Sequence, residues 1–430
     1  MKILLIAAGS FAPWNVIGAI RWTKICKYLS QNGDEITVIA HKKRMTHSDE
    51  LLAKDALLCK KVYYVSESGA EKILKIIFKL WGKTRGLSKE KSEKQFNALM
   101  MSQRYLRSIS YHGFAKKAKQ QINNLNEQYD IVISTNPLSA HWAAEYASKK
   151  LSIPWISDFR DPIAPTLPQS RHEKKLLQWQ KRICVNSDSV IAVSKGLKEV
   201  LATGNEVCRD KIHVIYNGFD PDDRPAIKES SDGKLHLVYT GILYTGKRDL
   251  TPVFQALSEL CRAGSILETD IVFDYAGNEI EILRDQARKY GMENIIKNHG
   301  FITRKESLAL QMQSDILVMA TYNDEGNPGV MPGKLYEYMM IRKPILAIVS
   351  GEVKGSELKV IIEKSSVGYC HETEFDGIDS LKEFLVMVRK NRDNGNEAPY
   401  LYDTRKFEYP QIASEVSRII SETIRDGKAR

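Results

Sequence analysis

No run of 18 consecutive apolar residues occurs in the chain, which excludes an ordinary membrane-spanning helix. Cysteine is scarce: the six residues Cys26, Cys59, Cys184, Cys208, Cys261 and Cys370 are scattered, with no CxxC pair. That spacing indicates neither a zinc site nor a disulfide framework, and free thiols in a reducing cytoplasm are expected. No nucleic-acid-binding signature accompanies the basic residues, so nucleic acid is not an expected partner. A secretory leader is not expected either. The apolar opening Met1–Ala8 runs into Gly9-Ser10-Phe11-Ala12-Pro13 and then a helical pattern, as a first β-strand and its loop would.

What is present is length and a localised charge. At 430 residues the chain exceeds one ordinary core and suits two large domains. The net charge of +10 has one source: Glu71 to Gln120 holds thirteen Lys and Arg against three Glu, and the remainder balances at fifty against fifty. In that segment Lys72, Lys75, Lys79 and Lys83 fall within about 80° of helix circumference, with Ile73, Ile76, Ile77, Phe78, Leu80 and Trp81 on the other side. Two readings stay open for 72–83. It is a basic amphipathic helix lying on an anionic membrane surface, or a domain helix whose lysines are solvated.

Strand-like runs alternate with helical segments. The first half carries strands at 2–8, 35–41, 130–135, 153–158, 189–194 and 211–216, with helices near 16–30, 138–150 and 174–184. The second carries strands at 235–240, 270–275, 295–297, 315–320, 344–349 and 367–370, with helices near 250–262, 281–290, 306–312, 334–341 and 356–363. Nearly continuous β-branched strands in β-α series imply parallel sheets covered on both faces, and the series occurs twice. The turn-rich stretch 217–234 separates the halves. The expected domains are 1–218 and 219–408. The tail 409–430 is helical, with Ile412, Val416, Ile419, Ile420 and Ile424 spaced for one face and no strand of its own. Two such domains make a groove between them the expected active site, since open α/β sheets bind ligands at the carboxyl ends of their strands.

The segment Pro328-Gly329-Val330-Met331-Pro332-Gly333-Lys334-Leu335-Tyr336-Glu337-Tyr338-Met339 reads as a loop entering a helix. A helix start carries partial positive charge, so Lys334 in the first turn is electrostatically misplaced unless an anion binds there. Glu337, one turn on, suits a sugar hydroxyl better than a phosphate. A cation for a diphosphate beside a carboxylate for a ribose describes a nucleotide-sugar site; an amphipathic core helix with a surface lysine is the plainer alternative. Gly241-Ile242-Leu243-Tyr244-Thr245-Gly246-Lys247-Arg248 matches a P-loop except at its last position, where Arg248 replaces the Mg²⁺-holding Ser or Thr. Arg248 with Lys247 therefore suits a metal-free phosphate clamp, and a P-loop NTPase is the rival reading.

Taken with Asp158-Phe159-Arg160-Asp161-Pro162 and Tyr216-Asn217-Gly218-Phe219-Asp220, these motifs resemble those of the GT-B glycosyltransferases, specifically the GT4-like bacterial enzymes of cell-envelope polysaccharide synthesis, such as O antigen or capsule. The resemblance implies an α/β fold of two facing, doubly wound, Rossmann-like domains. The first would bind the acceptor and the second, with Gly241, the nucleotide-sugar donor, while the helix at 409–430 crosses back onto the first. It implies that Arg248, with Lys247, and Lys334 neutralise the donor diphosphate, that Glu337 bonds the ribose hydroxyls, and that the backbone around Gly300-Phe301-Ile302 meets the nucleobase. Many GT4 enzymes carry another glutamate eight residues before the position of Glu337. Here that position is Gly329, so Asp324, Glu325 or the amides of Gly329 and Val330, in the loop that ends at Gly333, would have to contact the donor sugar.

On the acceptor side Asp161 is the candidate carboxylate, with Arg160 beside it; a strand-end ion pair is the alternative. Gly18 and Arg21 belong to the first-strand loop and its helix and would approach the phosphates or the acceptor. His141 either enters the groove or packs within its helix. Asp220-x-Asp222 reads as turn chemistry and not a metal site, and no cofactor or metal is expected. The implied reaction is sugar transfer with retention from a UDP-sugar to a glycan or polyprenyl-diphosphate-linked acceptor, in the cytoplasm or at the inner face of the plasma membrane. A sugar-nucleotide epimerase or a non-catalytic GT-B subunit would share the architecture.

Overall fold

A computed structural model describes residues 1–14, 16–42, 49–66, 104–226, 232–326, 330–396 and 399–428. The basic segment 72–83 and Gly329 lie outside the described residues. The chain divides into two compact units: Met1–Val193 with Leu197–Tyr216 and Tyr409–Arg430, and Ser194–Gly196 with Asn217–Glu408. Among the described residues no helix is long and apolar enough to cross a membrane.

The first unit carries β1 (Lys2–Ile6), α1 (Ile17–Gln31), β2 (Glu35–His41), α2 (Glu50–Ala56), β3 (Lys61–Val65), α3 (Arg104–Asn123), β4 (Ile131–Thr135), α4 (Leu138–Leu151), β5 (Trp155–Phe159), α5 (Arg171–Asn186), β6 (Ser189–Ala192), α6 (Lys195–Ala202) and β7 (Ile212–Val214). Its strands form one parallel sheet in the order β3-β2-β1-β4-β5-β6-β7. Side-chain alternation explains why β1 reads as continuously apolar: Ile3 and Leu5 enter the core on one face, Leu4 and Ile6 the core on the other. The C-terminal helix Tyr409–Lys428 returns to this unit. Its Ile412, Val416, Ile419 and Ile420 join Trp22 and Ile25 of α1 in the core over Ile3 and Leu5. The orphan tail thus covers a sheet face that its own end of the chain does not supply.

The second unit carries β8 (Leu235–Thr240), α7 (Thr251–Arg262), β9 (Ile271–Ala276), α8 (Ile280–Arg288), β10 (Ile296–Gly300), α9 (Arg304–Met312), β11 (Ile316–Tyr322), α10 (Lys334–Ile341), β12 (Ile345–Ser350), α11 (Glu357–Lys364), β13 (Gly368–Glu372) and α12 (Ile378–Asp393). Its parallel sheet runs β10-β9-β8-β11-β12-β13. In both sheets the strand order reverses beside the first strand, between β1 and β4 and between β8 and β11, and such reversals open a crevice at the carboxyl ends.

Four of the described helices are not announced by the sequence, α2, α3, α6 and α12, and in two of them, α3 and α12, the apolar pattern is diluted. In α3 only Phe114, Ala115, Ala118 and Ile122 of its described side chains are buried hydrophobics, and lysines interrupt the stripe. In α12 the buried stripe Leu381, Phe384, Leu385, Val388 has helical spacing but lies among seven charged residues.

Candidate functional site

Thr240 and Gly241 end β8, and the loop after β11 leads into α10, so the reversal of strand order brings together two stretches more than eighty residues apart in sequence. Lys334, the first residue of α10, extends its ammonium back to the sheet and donates to Thr240 Oγ1 at 2.8 Å. Its stem lies against Gly241, where an added Cβ would come within 2.9 Å of Lys334 Cε. Gly241 also has φ of +128°, a backbone conformation that favours glycine.

Arg248 donates from Nη1 to the carbonyl of Ile242 at 3.2 Å and lies 4.4 Å over the Tyr244 ring, while its Nε is buried with no acceptor among the described residues. No described carboxylate lies within 4.0 Å of the charged nitrogens of Lys334 or Arg248. Burial holds the Lys334 ammonium below its ordinary pKa; Glu337 opposes this, and the charge of Arg248 adds to it. The two cations therefore share one environment and repel each other across it.

The loop between them is built by a carboxylate. Glu279 accepts hydrogen bonds from Leu243 N and from Thr245 N. This supports a left-handed turn in which Tyr244, Thr245 and Gly246 have φ of 52°, 54° and 92°. Arg248 N closes the loop onto Leu243 O at 3.0 Å. In a P-loop such amides would cradle phosphates; here two of them already serve an anionic side chain, which would itself repel a phosphate. The near-match to a P-loop in the sequence is thus a different local structure.

Glu337 is half-buried one turn into α10 and accepts from Gln311 Nε2 at 2.8 Å. Lys247 is exposed, and Val330 and Gly333 line the approach to α10. Phe301 follows Gly300 at the end of β10, two strands from β8, and is 75% exposed.

At the reversal in the first unit, Arg160 Nη2 donates to Ser10 Oγ at 2.8 Å and to Asn136 O at 3.2 Å. Its guanidinium rests on Gly18, where a Cβ would fall 1.7 Å from Nη1. Asn136 bonds the carbonyl of Asp161 through Nδ2 at 2.9 Å and meets His141 Nε2 through Oδ1 at 3.2 Å, while the Asp161 side chain is exposed. His141 is fully buried against Ser134 Oγ, and burial pushes its pKa down to about 3, with Asp158 opposing and Arg160 assisting. It is a neutral, packed histidine. Arg21 also points inward, bonding Asp158 at 3.0 Å and the carbonyls of Ile215 and Tyr216, and Asp158 further accepts from Trp22 and Thr135. That pair is wholly inside the unit, so Arg21 ties α1 to the sheet and presents no charge to a ligand.

The structure thus groups Gly241, Arg248, Lys334 and Glu337 in one place, and Gly18, Arg160 and His141 in another. Thr240, Gln311 and Glu279, which complete the first group, carry no signal in the sequence, because their partners are set by strand order alone.

The fold is GT-B: two Rossmann-like α/β units, with counterparts along nearly the whole chain in solved structures. Lipopolysaccharide outer core galactosyltransferase WaaB is 15% identical with a TM-score of 0.58, covering 98% of this chain and 99% of that one. A UDP-forming α,α-trehalose-phosphate synthase from Burkholderia xenovorans is 12% identical with a TM-score of 0.60 over 98% and 99%. A putative UDP-N-acetylglucosamine 2-epimerase from Listeria monocytogenes is 12% identical with a TM-score of 0.53 over 99% and 98%. No curated protein matches in sequence. Residues 19–223 match the model of Glycosyltransferase Family 4. That match spans just under half of the chain and, with the GT-B fold, supports a GT4-like glycosyltransferase.

Proposed function

We propose that this protein transfers a sugar from a nucleoside diphosphate donor, a UDP-sugar, to a glycan or polyprenyl-diphosphate-linked acceptor of the cell envelope. One observation carries the proposal: the cations Lys334 and Arg248 are near enough for the charge of Arg248 to depress the Lys334 pKa, neither has a carboxylate in ion-pair reach among the described residues, and Glu337 stands one helical turn on from Lys334. Keeping like charges together and partly desolvated is unfavourable unless a dianionic group completes the site. A diphosphate supplies that charge, and Glu337 supplies the acceptor for ribose hydroxyls.

As the glycosidic bond breaks, negative charge grows on the departing phosphate. Lys334 and Arg248 stabilise it without being reorganised, doing electrostatically what Mg²⁺ does in a P-loop. Retention follows if the departing phosphate takes the acceptor proton on the same face. In the first unit Arg160, fixed on Gly18 and Ser10, and the exposed Asp161 are assigned to the acceptor. Gly241 lets Lys334 reach its station, Lys247 adds a solvated positive charge, and Phe301 with the amides of Val330 and Gly333 is assigned to the rest of the donor.

Thermal shift with UDP, GDP and dTDP tests the donor class, since a ligand that binds only the folded state raises its melting temperature. UDP is expected to give the largest rise, and no rise with any of the three would refute the reading. Conversion of a UDP-sugar without an acceptor would instead indicate an epimerase, the activity named for one of the similar structures.

A further inference from the structure

We propose that Gln311 is a positioning residue of the donor site, setting how strongly that site prefers a ribose to a deoxyribose. The inference rests on the reading of Lys334 and Glu337 as diphosphate and ribose ligands. Gln311 sits in the last turn of α9, outside every motif in the sequence, and is completely buried. Its Nε2 lies 2.8 Å from Glu337 Oε1, 3.0 Å from Ser307 Oγ and 3.3 Å from Thr240 Oγ1. Thr240 Oγ1 is also the atom that accepts from Lys334 Nζ. One buried amide thus touches the carboxylate directly and the ammonium through a single hydroxyl.

The chemistry fixes which way that amide faces. An ionised carboxylate has no hydrogen to give, so Glu337 requires the NH₂ end of Gln311. One hydrogen serves Glu337, the nearest acceptor, and the other is shared between Ser307 and Thr240. Turned this way, Gln311 leaves its Oε1 buried with no partner among the described residues. An unsatisfied buried acceptor destabilises the fold, and a hydrophobic residue of the same length would avoid it. What the amide does to Glu337 accounts for that cost. It holds one oxygen of the carboxylate, so that Oε2, which has no described partner, is presented in a single orientation. A carboxylate tethered at one oxygen loses little freedom when the other accepts hydroxyls, and that preorganisation favours a ligand that has them.

The test measures UDP and 2′-deoxy-UDP binding by calorimetry to the full chain and its Gln311→Met and Gln311→Glu variants. The unaltered protein is expected to bind UDP about tenfold more tightly, the worth of one good hydrogen bond. In Gln311→Met, UDP is expected to weaken about tenfold and 2′-deoxy-UDP by less than about threefold, so the preference collapses. Gln311→Glu, matched in size but repelling Glu337, should lose at least as much, and it carries the test if Gln311→Met unfolds. Combining Gln311→Met with Glu337→Gln should cost no further preference than Glu337→Gln alone. Equal weakening of both ligands, the mark of a packing role, would overturn the proposal, as would an unchanged preference. If the unaltered protein binds neither ligand, the nucleoside diphosphate reading fails first and the role of Gln311 with it.

Discussion

Replacing Lys334 by methionine separates the two things this lysine does. Methionine keeps the apolar stem against Gly241 and removes only the ammonium that donates to Thr240 Oγ1 at 2.8 Å. A cation about 4 Å from a phosphate charge, at an effective dielectric of about 20, interacts by about 4 kcal/mol. Deleting one preorganised donor of this kind costs about 3–4 kcal/mol, roughly 10²–10³ in kcat. Stability should move the other way. Burial holds the folded-state pKa of Lys334 below the ordinary 10.5, so its charged form opposes folding; that penalty is full below the folded value and gone above 10.5. At neutral pH the ligand-free Lys334→Met variant should therefore melt no lower than the unaltered protein, and higher if the site relaxes little. The assays are turnover of a UDP-sugar with acceptor, and melting with and without UDP. The variant should lose turnover, and most of the melting rise that UDP causes, while its ligand-free Tm holds. Near-normal turnover, or a UDP-induced rise equal to that of the unaltered protein, would refute the reasoning.

Arg248→Lys keeps the charge but loses the planar contact over Tyr244 and the bond to Ile242 O; UDP binding should weaken about tenfold, and Arg248→Ala should lower kcat about as much as Lys334→Met. Gly18→Ala places a methyl 1.7 Å from Arg160 Nη1, so the guanidinium must leave Ser10 and Asn136; a destabilisation of about 1–3 kcal/mol is expected in urea unfolding, and an unchanged midpoint would contradict the packing described. Asp158→Asn leaves Arg21 charged in the interior without its counter-ion and should cost about 3–5 kcal/mol, read in the same assay. His236 hydrogen-bonds Asp274 at 2.7 Å, which raises its pKa against the opposing effect of burial, with Asp232 adding to the rise. A raised histidine pKa contributes stability that is complete below about 6.5 and lost as pH rises through the folded value. Unfolding free energy should therefore fall above pH about 6.5, and Asp274→Asn should flatten that fall; a slope unaffected by the substitution would exclude this pair as its source.

Much of this protein is legible along the chain because its local rules agree with one another. The strand at 235–240 and the helix at 334–341 stand where the sequence puts them, since a β-branched apolar run and a Pro-Gly loop leading into a helix each specify their own backbone. Lys334 in the first turn of that helix is out of place by electrostatics alone, and that is visible without coordinates. The loop from Gly241 to Arg248 is similarly readable as one that departs from a P-loop, since an arginine stands where the Mg²⁺-holding Ser or Thr would. Only the order of strands in the sheet decides the rest. Because β8 and β11 are neighbours, Thr240 meets Lys334 across 94 residues and Gln311 reaches Glu337 from another helix. Arg21 looks like a loop cation in the sequence and is an interior ion pair in the fold, since its partner Asp158 arrives on a strand 137 residues later. Periodicity and capping act over a few residues, so they determine elements; the identity of a charged residue's partner is a long-range property, and burial settles it only after the sheet has formed.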